Sequence, residues 1–391
     1  MRVLVAFDKF KDSLTAPAAC AIAADTLRAA HPDWEIDSAP LADGGDGFAA
    51  ILTAAAGGEL VPARVVGPLG EARTAAFGLV RWAQIPGAAR DHLALPALRD
   101  TDTIALVEMA AASGLALVPP AERNPWRTTS YGTGQLLVAA ANRGARALLL
   151  GVGGSATHDL GLGALAALGL RFYDERGLPI FPPTTSAWEH IARLAGHVPA
   201  AFPPLRVACD VTNPLLGPAG AAAIYAPQKG LAPSDLPALE TATARMATRL
   251  ATHCGQPAAL ASAPGTGAAG GIAFGLMTAA RAQLVTGWAL VHAWLDLDRR
   301  LAAADLVITG EGRFDTTSLG GKGPGALLAA AAAAGKRTLV LAGSLGQLPV
   351  GALPADVATR AITPAGLPLT EALARAPELL AAAVREVTPG P

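Results

Sequence analysis

The order of apolar and polar positions divides the chain into short strands and helices with loops between them. Residues 2–6 form a β-branched and aliphatic run, residues 8–13 are polar, and Thr15 stands at the head of an apolar-rich stretch reaching Ala30. That order predicts a strand, a loop and a helix capped by Thr15, with Pro17 tolerated in the first helical turn. A second strand is expected at 34–38 and a loop at 42–47. A helix over 48–56 follows, stopped by the Gly57-Gly58 pair. From Val61 to Trp82 apolar and polar residues alternate with Gly-Pro breaks, the pattern of antiparallel strands. Further strands are read at 103–108, 147–150 and 205–208. Near Leu290 the strand–helix rhythm returns, with strands at 305–309 and 338–342, a loop at 310–325, a helix at 326–334 and final helices over 369–387.

The two ends of the chain share one strand–helix grammar and the middle differs, with no internal repeat. The expected organisation is a discontinuous α/β domain from 1–65 plus 288–391 and an inserted α/β domain over 66–287. A chain of 391 residues fits two or three domains at roughly 100–200 residues each.

Composition narrows the function classes. The formal net charge of −1 gives no footprint for nucleic acid or an anionic membrane. The hydrophobic fraction is 52%, but much of it is alanine and aromatics make up only 5%. No apolar stretch of about 18 residues suggests a membrane span. The opening run meets Asp8 and Lys9 too soon to serve as a signal peptide. Cys20, Cys209 and Cys254 are too scattered for a disulfide framework, so a reducing, cytoplasmic setting is expected. The composition is compatible with a homodimer.

Candidate chemistry sits in loops after strands, where parallel sheets bind ligands. The first strand opens into Asp8-Lys9-Phe10-Lys11-Asp12-Ser13, the second into Asp43-Gly44-Gly45-Asp46-Gly47, and the strand at 305–309 into Gly310-Glu311-Gly312-Arg313-Phe314-Asp315, reaching Lys322. Singly, each reads equally well as turns and caps; together, three acid-bearing loops favour a shared site. The loop 151–159, Gly-Val-Gly-Gly-Ser-Ala-Thr-His-Asp, has the glycines that let N–H groups close on an anion, with Ser155 and Thr157 as hydroxyl donors. The same loop also fits a packing turn. With a strand expected at 170–173 before Asp174, it fits the dinucleotide fingerprint of a nicotinamide-dependent dehydrogenase as well. Asp210, in Cys209-Asp210-Val211-Thr212-Asn213-Pro214, is read as a general base, a metal ligand or an Asx turn. Lys229 reads by default as a solvated surface charge. The stretch 265–271 reads as a small-residue packing surface or an anion site. There is no P-loop, no protein-kinase signature and no histidine metal pattern.

Taken in order, nine segments resemble the type I glycerate kinases. They are FDKFKDSLTA (7–16), PLADGGDG (40–47), GTGQLL (132–137), GVGGSATHD (151–159), ACDVTNPLLGPAGAA (208–222), APQKG (226–230), GTGAAGG (265–271), DLVITGEGRFD (305–315) and LAGSLG (341–346). The resemblance covers roughly residues 1–350. It implies a flavodoxin-like domain built from both chain ends and an inserted domain resembling the restriction-endonuclease fold. It also implies ATP as phosphoryl donor, Mg²⁺, and D-glycerate phosphorylated at its 2-hydroxyl. On that basis Gly153, Gly154, Ser155, Ala156 and Thr157 are expected to cradle phosphate, with Gly44, Gly45 and Asn213 beside them. Asp43, Asp46 and Glu311 are expected as Mg²⁺ ligands. Lys11, Arg313 and Lys322 are expected as cations for phosphate and the glycerate carboxylate, with Lys11 counted among the catalytic groups. Asp210 or Asp315 is expected as the base. The family commonly has Ser at Lys9, Asn at His158 and Gln at Thr317. A non-catalytic nucleotide-binding regulator is the remaining reading.

Overall fold

The computed structural model describes residues 1–42, 44–321, 323–354 and 356–388. In chain order its strands begin β1 (Arg2–Phe7), β2 (Glu35–Ser38), β3 (Glu59–Val66), β4 (Ala72–Arg81), β5 (Thr103–Glu108) and β6 (Ala147–Gly151). They continue with β7 (Arg171–Tyr173), β8 (Arg193–Ala195), β9 (Leu205–Ala208) and β10 (Gln283–Val285). The last are β11 (Leu306–Gly310), β12 (Arg313–Phe314), β13 (Arg337–Ala342), β14 (Ser344–Leu345) and β15 (Val357–Ala361). The protein is mixed α/β with parallel sheets. It forms two compact units, Met1–Asp43 with Val291–Pro391, and Gly44–Leu290.

The first unit holds a five-stranded sheet in the order β15-β13-β11-β1-β2, every pair parallel. Its central strands are near-continuous buried apolar runs, as a parallel sheet covered on both faces requires. The helix Ala16–Ala30 buries Ala16, Ala19, Cys20, Ala23, Ala24 and Leu27, a single helical stripe. The Thr15 hydroxyl accepts from the Ala18 N–H and starts the helix as the sequence predicts. Ala376–Arg385 buries a matching stripe, and the two helices pack together. Leu27 is fully buried, so truncating it to Ala costs about 2–5 kcal/mol.

The second unit holds a six-stranded sheet in the order β10-β9-β6-β5-β4-β3. β3 and β4 are antiparallel, as their alternation predicts, and β5, β6, β9 and β10 run parallel. The boundary falls after residue 43, not near the expected 65. The cause is β3, which pairs with β4 along its whole length, and the helix Phe48–Ala55, which packs on β4 and β5.

Candidate active site

In the second unit, the loop following β6 meets the 44–47 segment through backbone alone. The Gly153 N–H donates to the Gly44 carbonyl at 2.9 Å. A Cβ on Gly153 would lie 2.6 Å from Gly45 Cα, so only glycine allows this approach. Gly153 and Gly154 form the accessible part of the loop. Asp46 is exposed beside them, its Oδ1 2.9 Å from the position of a Cβ on Gly154. The Gly154 carbonyl accepts from Leu115 and the Ala156 N–H donates to Ser113, which stitches the loop to 113–115. The N–H groups of Gly154 and Ser155 donate to nothing among the described residues.

Residues 155–159 lie beneath this surface. Thr157 is fully buried, while the Ser155 hydroxyl accepts from Lys229 below and keeps its own proton to donate. Lys229 itself is 1% exposed, the opposite of a solvated surface charge. Its Nζ donates to Ser155 Oγ at 2.8 Å and to the Thr157 carbonyl at 2.6 Å. Burial pushes its pKa down to about 7, and the nearby Asp159 carboxylate opposes the fall. Asp159 accepts from Ser130 N (2.8 Å), Ser130 Oγ (2.7 Å), Gly161 N (3.0 Å) and Gly163 N (3.2 Å). Burial raises its pKa and these four donors favour the carboxylate. It thereby ties the loop to the starts of the helices Tyr131–Asn142 and Leu162–Ala167.

His158 is fully buried, and burial, with the Lys229 charge, pushes its pKa down to about 3. The Thr243 hydroxyl donates to the Leu239 carbonyl at 2.7 Å, so at 3.0 Å it accepts from His158 Nε2. The ring is therefore the neutral Nε2–H tautomer, and its Nδ1 has no partner among the described residues. Behind the loop, Ala269, Gly270 and Gly271 all take left-handed angles, φ 54°, 73° and 87°. The missing side chain of Gly270 lets the Thr157 carbonyl come within 2.1 Å of where its Cβ would be. The stretch 265–271 is thus a packing turn against the loop.

Asp210 follows β9 and is half-buried. Both its oxygens lie 3.0 Å from the Trp288 N–H, at the start of the helix Gly287–Trp294. The Asn213 amide is occupied at both ends: its oxygen accepts from Tyr225 OH at 2.5 Å and its nitrogen donates to the Ala219 carbonyl at 2.8 Å. Asn213 therefore braces its own loop.

In the first unit, the loops after β1, β11 and β13 share the carboxyl edge of the sheet. A Cβ on Gly312 would lie 2.9 Å from Lys11 N, and Gly343 and Ser344 donate to the carbonyls of Glu311 and Gly312 at 3.0 Å. Lys11 and Arg313 are exposed, Glu311 is half-buried, and Asp8 is buried at the end of β1. Asp315 accepts from the Thr317 hydroxyl (2.6 Å), the Thr317 N–H (2.9 Å) and Arg313 Nε (3.0 Å). The Thr317 hydroxyl first, then its N–H and Arg313, hold the Asp315 carboxyl below the usual range. Asp43 and Lys322 lie outside the described residues.

The dehydrogenase reading fails on topology. A dinucleotide fold needs the strand after the glycine loop to lie parallel beside the first. Here β6 lies between β5 and β9, while β7 pairs antiparallel with β8 in a separate ribbon. Asp174 closes a tight turn, accepting from Arg176 and Leu178. Among the described residues no three His, Cys, Asp or Glu side chains are grouped to hold a metal, and no helix is long and apolar enough to cross a membrane. Mg²⁺ commonly takes one or two carboxylates plus substrate phosphates, and Asp46 in the second unit and Glu311 in the first are each a hard oxygen donor of that kind.

Lys229, Asp159, Ser130 and Thr243 were not legible as site residues. The partners of Lys229 lie 74 and 72 positions away, a pairing no local pattern reveals.

A model of the Glycerate kinase family matches residues 3–389. A glycerate kinase from Halalkalibacterium halodurans is 36% identical over an alignment of 392 positions, covering 98% of this chain and 97% of its own. The glycerate 2-kinase of Escherichia coli (strain K12) is 37% identical over 349 positions, covering 88% of this chain and 86% of its own. The crystal structure assigned to glycerate kinase 2 of Salmonella typhimurium LT2 superposes with a TM-score of 0.74 at 37% identity, covering 98% of this chain and 96% of that one.

Proposed function

This chain belongs to the glycerate kinase family, and from that premise we propose that it transfers the γ-phosphoryl group of ATP to the 2-hydroxyl of D-glycerate, yielding 2-phosphoglycerate and ADP. The observation that carries the reading is the Gly153–Gly154 turn. It is accessible, it is backed by Gly44 and Gly45, and the N–H groups of Gly154 and Ser155 have no other acceptor among the described residues. Such a turn suits a phosphate, because N–H dipoles stabilise anionic oxygens without carrying charge of their own.

Phosphoryl transfer is mainly positioning and charge neutralisation. Arg313 is the candidate for the glycerate carboxylate. Its Nε is held by Asp315, which orients the guanidinium fork. Lys11 adds a cation on the same edge, and Lys322 is assigned with them. Asp210 is the leading base. Its carboxylate is pinned by Trp288 and would take the 2-hydroxyl proton as the new O–P bond forms and ADP leaves. Asp315 is the second candidate, with its lowered pKa favouring the ionised form. Mg²⁺, when bound, would neutralise phosphate charge; Asp46, Glu311 and Asp43 are the residues assigned to hold it.

The unit built from both chain ends is assigned as flavodoxin-like and the other as resembling the restriction-endonuclease fold. The enzyme is placed in the cytoplasm with small-molecule substrates. The test is ADP release from ATP and Mg²⁺ with and without D-glycerate. Glycerate-dependent release is expected. ADP release that ignores glycerate, or NADH oxidation with hydroxypyruvate in its place, would remove the reading.

A further inference from the structure

We propose that Lys229 is the positioning residue of the phosphate loop: seated behind it, the lysine anchors the Ser155 hydroxyl and the Thr157 carbonyl and so holds the Gly153–Gly154 turn ready for an anion. This inference rests on the proposed role of that turn. Lys229 is not a catalytic residue, since at 1% exposure it touches neither substrate nor solvent.

The geometry is that of a built support. Lys229 ends a short 3₁₀ turn, Pro227–Lys229, and Gly230 follows at φ 91°, where a Cβ would lie 2.1 Å from the Arg123 carbonyl. The turn is wedged in place, and the side chain runs inward to two oxygens two residues apart on the loop. A buried lysine is costly, and an apolar side chain of similar volume is often neutral or better for stability. Retaining the lysine is therefore better explained by what it holds than by stability. Asp159 is the last residue of the loop, and its four donors tie it to the starts of two helices rather than to the loop itself. Lys229 is the group bonded to both Ser155 and Thr157 among the described residues.

A charge behind the loop also acts through it. The groups that bear on Lys229 are Asp159, which favours the ammonium form, and neutral His158. With its pKa lowered to about 7, the lysine is largely uncharged at pH 8 in the free protein. A polyphosphate bound across the loop favours the ammonium, so binding takes up a proton.

The experiment is calorimetric titration of the whole protein with the Mg²⁺ complex of the β,γ-imido analogue of ATP. It is run at pH 8 in two buffers of different ionisation heat, on wild type, Lys229→Met and Ser155→Ala. Wild type should bind with net proton uptake. Folded Lys229→Met should bind at least tenfold more weakly and lose the lysine's share of the uptake. Ser155→Ala, which removes one anchor and leaves the lysine, should weaken binding severalfold and keep the uptake. Wild-type affinity and uptake in folded Lys229→Met would overturn the proposal. Should that variant not fold, Ser155→Ala decides, with unchanged affinity as the overturning result. A wild-type protein that binds no analogue would instead remove the nucleotide reading, before any variant is compared.

Discussion

The backbone N–H of Trp288 sits 3.0 Å from each carboxylate oxygen of Asp210, so the acid proposed as the base also caps a helix. The two roles separate by substitution. Asp210→Asn keeps an oxygen for Trp288 and removes the base, so kcat should fall by about 10²–10⁴ with little change in melting temperature. Asp210→Ala should lose that activity and, in addition, about 1 kcal/mol of stability with the cap. A near-wild-type kcat in folded Asp210→Asn would pass the role to Asp315.

Thr317 supplies the largest of the influences that lower the Asp315 pKa. Thr317→Val deletes the hydroxyl, so the Asp315 pKa should rise toward the ordinary carboxylate value. If Asp315 takes part in the chemistry, the acid limb of kcat/KM should move to higher pH with it. Carboxylate-carbon NMR reads the first effect and a pH–rate profile the second. An Asp315 titration that does not move would refute the assigned cause.

His158 Nε2 and Thr243 Oγ1, 3.0 Å apart, are both fully buried. Thr243→Val leaves the ring N–H without an acceptor and should cost about 1–3 kcal/mol, whereas Thr243→Ser should keep most of the stability. Denaturant melts compare them. Equal stability of the two variants would mean that His158 bonds elsewhere.

Stability should also carry the mark of Lys229. Its folded pKa, about 7, lies below the ordinary 10.5, so between these values the unfolded chain binds more protons than the folded one. Stability therefore rises with pH across that window, by at most about 1.4 kcal/mol per pH unit for one proton. Below pH 7 the lysine is protonated in both states and the gain is absent. Lys229→Met should lose this slope, so denaturant melts from pH 7 to 9 should diverge as pH rises. Parallel curves would indicate a lysine that is already hydrated.

Local patterns carried most of the fold. Thr15, the buried runs of β1, β6 and β11, and the alternation across β3 and β4 are visible because each obeys one period. The helix Tyr131–Asn142 was hidden by its glycines. Gly132 is there for packing, since its Cβ would meet the Val66 carbonyl at 1.9 Å, and glycine otherwise argues against a helix. The long helix Leu236–His253 and the edge strand β15 also escaped. β15 is half-exposed and reads as loop. At the site, the glycines of 151–154 stood out because close backbone approach demands that residue type. The same composition does not reveal that Thr157 is fully buried or that Lys229 bonds Ser155 and the Thr157 carbonyl from behind. Composition signals a loop, but only the fold says which side of it faces solvent.

The most direct test of the whole account is the proton-coupled phosphorus spectrum of the product made from ATP, Mg²⁺ and D-glycerate. An ester on C2 has one proton on the carbinol carbon and should give a doublet, the expected result. A triplet, from the two protons of C3, would contradict the assigned position, and the absence of any glycerate-dependent ester would contradict the kinase itself.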